Sequence, residues 1–61
     1  MQPGDLVMIT RNSIGIPSGT LALITEKLIG SLFSYYRVYI VGGKANGKVR
    51  KYLAEDLETV K

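Results

Sequence analysis

Apolar residues in this chain come in short runs of four to eight, each closed by turn-forming residues, and most runs alternate rather than follow a helical period. Period-two alternation over such lengths predicts strands. Leu6 to Thr10 follows the turn signal Pro3-Gly4, with Val7 and Ile9 on one side and Leu6 and Met8 on the other. Arg11 to Gly19 is a predicted loop, rich in Asn, Ser, Pro and Gly, whose Ile14 and Ile16 are expected to fold back over one end of the core. Thr20 to Leu28 is ambiguous, because Leu21, Ile24 and Leu28 also fit a helical spacing. Gly19 and Gly30 bound it closely, and Thr20, Ile24, Thr25 and Ile29 are β-branched, so a strand is the better reading.

Tyr35 to Val41 has the cleanest pattern, with Tyr36, Val38 and Ile40 predicted inward and Tyr35, Arg37, Tyr39 and Val41 outward. Asn46-Gly47 predicts a tight primed turn, since both positions of that pair tolerate positive φ. In the strand after it, Lys48 to Leu53, Val49 and Leu53 share a side with Lys51 while Tyr52 lies opposite, so either a bulge or a rim position for Lys51 is required. Ala54-Glu55-Asp56 reads as one 3₁₀ turn, and Leu57 to Val60 as a short last strand. The expected architecture is all-β: one domain over residues 1–61, a small, partly open five-stranded barrel whose first and last strands meet. Its expected core is Val7, Ile9, Ala22, Ile24, Val38, Ile40, Val49, Leu53 and Leu57.

Composition narrows the chemistry. Sixty-one residues without Cys leave no disulfide and no thiolate metal site. With no His the usual general base is missing as well. A chain of this length buries only about 60% of the surface it exposes when unfolded. Its stability therefore rests on its 46% apolar residues, or in part on a partner chain. Gly42-Gly43-Lys44 lacks the spacing of a phosphate loop, and no cofactor or metal motif is visible. Neither a leader nor a membrane span is discernible, and a cytoplasmic location is the expectation. These features argue against an enzyme.

The segments Pro3-Gly4-Asp5-Leu6-Val7, Gly19-Thr20-Leu21-Ala22-Leu23-Ile24, Tyr36-Arg37-Val38-Tyr39-Ile40 and Tyr52-Leu53-Ala54-Glu55-Asp56-Leu57-Glu58 together resemble small SH3-like barrels of the KOW/Tudor type. They look particularly like short, uncharacterised proteins of tailed phages, which would place the chain in a host cytoplasm. That resemblance implies an interaction module for proteins, RNA or DNA. The KOW-like part, Gly19 to Ile24, carries none of the basic residues usual in nucleic-acid-binding members.

Three groups of residues are candidates for function. Lys44, Lys48, Arg50 and Lys51 surround the predicted hairpin and could contact phosphates, with tyrosines available for stacking. They could equally be solvated charges that protect a sheet edge, and the net charge is only +3. Tyr35, Arg37 and Tyr39 form an aromatic–cation–aromatic stripe suited to an interface, or to ordinary cross-strand pairing. Leu32 and Phe33, with Ile29, are expected to cap the core; if exposed they would dock on a partner or a second copy. The preferred function is binding to an unidentified protein partner. Weak nucleic-acid binding through the basic hairpin is the alternative, and a self-assembling homo-oligomeric subunit is a second one.

Overall fold

The computed structural model describes residues 1–60. Within them the chain forms β1 (Leu6–Ile9), β2 (Leu21–Ile29), β3 (Ser34–Val41), β4 (Val49–Leu53), the 3₁₀ turn Ala54–Asp56, and β5 (Leu57–Thr59). All neighbouring strands are antiparallel, in one sheet of order β4-β3-β2-β1-β5. The first and last strands meet, as expected, with Val7 opposite Thr59 and Ile9 opposite Leu57. The sheet is not closed, however: β4 and β5 are its two edges.

The inner face is covered because the sheet bends. The long central strand β2 pairs with β1 only over its first part, Leu21 to Leu23, but with β3 along its whole length. Next to that ladder, Ile24 accepts a hydrogen bond from the Gly4 N–H (2.8 Å) and donates one to the Asp5 carbonyl (2.9 Å). The following residue, Thr25, is the extra residue of a β-bulge: Ile24 opposes Val38 and Glu26 opposes Arg37, with Thr25 between them. Its hydroxyl donates to the Arg37 carbonyl at 3.1 Å. A bulge sharpens the right-handed twist. It sits where β1 ends and β2 continues with β3 alone.

The core is Val7, Ile9, Ile16, Ala22, Ile24, Tyr36, Val38, Ile40, Ala45, Tyr52 and Leu57, and no polar or charged residue described is buried. Seven of these belong to the expected set, all except Val49 and Leu53 of which are buried. Those two are the correction. The fourth strand has a regular register, Tyr36 opposite Tyr52 and Val38 opposite Arg50, so Tyr52 turns inward and Val49, Lys51 and Leu53 alternate to the other side. Val49 is 48% exposed. No bulge is needed in β4; the irregularity is in β2.

Three loop expectations are also corrected. Ile14 is fully exposed while Ile16 is buried. Ser13 and Ile16 exchange two 3.0 Å backbone hydrogen bonds, and Gly15 has φ +78°, so Ile14 sits at the tip of a two-residue turn and only Ile16, at its base, reaches the core. Ile29, Leu32 and Phe33 do not cap the core, for all three are exposed. The Gly30 N–H donates to the Phe33 carbonyl at 2.8 Å, which makes Ser31-Leu32 a tight turn pointing away from the molecule. Lastly, Asn46-Gly47 is not a two-residue primed turn, because Gly47 has φ +88° but Asn46 does not have positive φ: among the described residues only glycines do. The β3–β4 connection is longer. The Gly47 N–H reaches the Ile40 carbonyl (2.9 Å), and the Asn46 side-chain oxygen accepts from the Gly42 N–H (2.7 Å). This wider loop brings Ala45 back into the core.

Two stability measurements check this account. A β-branched side chain is strained at positive φ, so Gly47→Val should cost about 1–2 kcal/mol in a urea melt. Truncation of β4 should show the parity directly. Tyr52→Ala should cost about 3–5 kcal/mol, as for a buried aromatic, and Val49→Ala less than about 1 kcal/mol. Equal losses at Tyr52 and Val49 would contradict the observed register.

Candidate functional site

The outer face of the sheet is unusually apolar. Cross-strand register aligns Leu6, Leu23, Tyr39 and Val49 in one continuous row over four strands. A parallel row contains Met8, Leu21 and Val41, with Glu58 at its β5 end. The Val60 N–H donates to the Leu6 carbonyl at 3.0 Å, which brings Val60 beside the first row. Leu6, Leu21, Leu23, Tyr39, Val41, Val49 and Val60 are all exposed, between 37% and 48%. Scattered exposed apolar residues are normal, but a contiguous patch marks an interaction surface. The sequence signal for this patch was the two-sided apolar pattern of Leu6 to Ile9 and Leu21 to Ile24. It becomes a surface only when the register stacks these strands.

The stripe Tyr35, Arg37 and Tyr39 lies along β3, but its members have different surroundings. Tyr39 belongs to the apolar row. Arg37 is opposite Glu26 and its Nη1 donates to Glu26 Oε2 at 2.7 Å, both side chains being about half exposed. An exposed pair of this kind stabilises by at most about 1 kcal/mol. Arg37 is thereby engaged within the sheet. Tyr35 is opposite Leu28 and Leu53, beyond the charged row. Its ring lies 3.3 Å from the position a Cβ on Gly30 would take, so Gly30 allows the ring to close against the β2–β3 turn. Leu32 and Phe33 are separate again; with Ser34, Leu53, Ala54 and Glu55 they border a shallow depression of about 210 Å³.

The basic residues divide as well. Lys44, Lys48 and Arg50 gather around Ile14, Gly15, Ile16 and Ala45 in a small hollow of about 80 Å³. Arg50 and Lys51 also border a much larger cleft of about 730 Å³. That cleft runs between the β1–β2 loop, from Arg11 to Ile16, and the edge strand β4, with Leu28 and Tyr35 in its lining and Asp56 at the 3₁₀ turn. Asp56 lies 3.7 Å from Arg11, a partly shielded carboxylate beside an exposed guanidinium. Arg11 escapes a reading of the sequence because it stands alone in a polar loop, remote along the chain from the hairpin cations.

No protein-family model matches the chain, and no curated protein and no solved structure shows significant similarity to it. Among the described residues no helix is long and apolar enough to cross a membrane.

Five cations, Arg11, Lys44, Lys48, Arg50 and Lys51, are thus divided between a hollow and a cleft, with Asp56 beside Arg11, and such a divided set suits at most weak contact with phosphates. Binding to single-stranded or duplex oligonucleotides should be no tighter than roughly 10⁻⁴–10⁻⁶ M at physiological salt, and should weaken as salt rises. Replacing Lys48 and Arg50 by Ala should weaken it equally for all sequences. Fluorescence anisotropy across a salt series measures both. Submicromolar, sequence-dependent binding would reverse the order of the protein and nucleic-acid readings.

Proposed function

We propose that this chain is a non-enzymatic protein-binding module built on an SH3-like barrel, and that it docks through the outer face of its sheet. The strand order and the 3₁₀ turn before the last strand support that frame. The observation that carries the function is the four-strand row Leu6–Leu23–Tyr39–Val49 with its neighbour Met8–Leu21–Val41. Apolar side chains across four adjacent strands bring a surface whose removal from water stabilises a complex by about 25 cal/mol per Å² of apolar area, before the cost of association is subtracted. A standard interface uses about 800 Å² per partner. The whole accessible surface of the described chain is 4155 Å², so a partner covering this face would shield a considerable part of it.

A second copy of the chain is the occupant we infer for this face. The rows run across the sheet, so two copies related by a two-fold axis can lay the same residues against each other, the commonest closed arrangement. Sedimentation at tens of micromolar should give a mass above the 6.7 kDa monomer, and Leu23→Asp or Tyr39→Asp should return it to the monomer. Leu32→Asp, at the β2–β3 turn, should leave the association intact. A monomer that persists to millimolar concentration would remove the outer face as the seam, and loss of association in Leu32→Asp but not in Tyr39→Asp would move the seam to the turn.

A further inference from the structure

We propose a second binding surface, independent of the outer face: the cleft along β4 receives an extended, acidic peptide segment that adds to the sheet as a sixth strand. Three observations converge on it. The first is the open edge. The Ile40 N–H donates to the Lys48 carbonyl at 2.9 Å, so the pair Ile40–Lys48 is in the hydrogen-bonded phase. Antiparallel alternation places Val38–Arg50 and Tyr36–Tyr52 in that same phase. The backbone groups of Val49, Lys51 and Leu53 therefore point away from β3, on the side where no described strand lies. Arg50 Nη1 donates to the Val49 carbonyl at 2.9 Å and shields that one group. The Lys51 N–H and carbonyl and the Leu53 N–H remain for a partner.

The second observation is the space beside that edge. The cleft of about 730 Å³ is bordered by four consecutive β4 residues, Arg50 to Leu53, and on its far wall by the β1–β2 loop. Its size is within the range of ligand-binding clefts. A strand laid against the five residues of β4 would run about 17 Å and lie between that edge and the β1–β2 loop. The third observation is charge. Arg11, Arg50 and Lys51 border the cleft against the single carboxylate Asp56, which Arg11 already approaches at 3.7 Å. An acidic segment would place carboxylates on Arg50 and Lys51 as charge-assisted contacts. Its alternate residues would meet Ile14, Leu28 and Leu53, which favours side chains that are apolar at every second position. Main-chain pairing is what separates a peptide from a nucleic acid here, since a sugar-phosphate backbone cannot continue the strand ladder.

The probe is a fluorescein-labelled synthetic peptide of about seven residues with alternating acidic and β-branched residues. Controls are the same peptide N-methylated at alternate amides, one with lysines in place of the acids, and a single-stranded oligothymidylate of about ten nucleotides. Binding to the intact chain should be saturable. It should weaken at least about tenfold on N-methylation, on acid-to-lysine exchange and in the double variant Arg50→Ala, Lys51→Ala. Hydrogen exchange read by NMR should show new protection of the Lys51 and Leu53 amides in the complex. The proposal is overturned by absence of binding up to millimolar peptide, by undiminished binding of the N-methylated peptide, by unchanged exchange at Lys51 and Leu53, or by tighter binding of the oligothymidylate. Circular dichroism of the double variant establishes that it is folded, and Arg50→Lys, which retains the charge, should recover part of the affinity.

Discussion

The contact of Val7 and Ile9 on β1 with Ala22 and Ile24 on β2 and Val38 and Ile40 on β3 holds this molecule together. These six side chains are essentially inaccessible to water, and they occupy one face of three adjacent strands. Burying a Val or Ile side chain contributes about 1.5–3 kcal/mol. With no disulfide available, this packing is the main force that offsets the conformational entropy of ordering the chain. One sheet must cover its own inner face, and the remaining core residues come from its periphery: Ile16 from the base of a turn, Ala45 from a loop, Leu57 from β5, and Tyr36 and Tyr52 from the β3–β4 pair.

That requirement explains where the structure is irregular. A flat sheet of these strands would leave the inner side of β2 and β3 in water. The Thr25 bulge lies where the β1 ladder stops; beyond it β2 pairs with β3 alone, β3 stays paired with β4, and the β2–β3 hairpin ends in the exposed Ser31-Leu32 turn. The same bend leaves β4 and β5 as separate edges, with a cleft beside β4. Core, open edge and cleft are thus consequences of one curvature. Lysines and arginines along β4 suit such an edge, because their charge discourages pairing with a neutral strand while favouring an acidic one.

The outer face follows a different logic. Antiparallel sheets with one face packed and one solvated usually alternate apolar with polar residues. Here Leu6, Met8, Leu21, Leu23, Tyr39, Val41 and Val49 break that rule on the outer side, while Glu26, Arg37 and Lys51 obey it one row further on. The protein-binding reading rests on this contrast within a single face.

Much of the fold was legible in the sequence because strand alternation is local. Val7, Ile9, Ala22, Ile24, Val38, Ile40 and Leu57 could be placed inward from the period alone, and Ala54–Asp56 could be read as a 3₁₀ turn from its position between two strands. The parity of β4 could not, since Val49-Arg50-Lys51-Tyr52-Leu53 offers apolar residues on both sides, and only pairing with Tyr36 decides for Tyr52. Loop residues were equally undecidable: Ile14 and Ile16 are the same residue type two positions apart, and a turn hydrogen-bonded at its base exposes one and buries the other. Of the candidate residues, Tyr39 could be recognised as outward, and Arg50 and Lys51 as cations near a hairpin. Their membership in a four-strand row and in a cleft shared with Arg11 was set by tertiary structure, because a contact between residues distant in the chain depends on register and curvature, which no local pattern encodes.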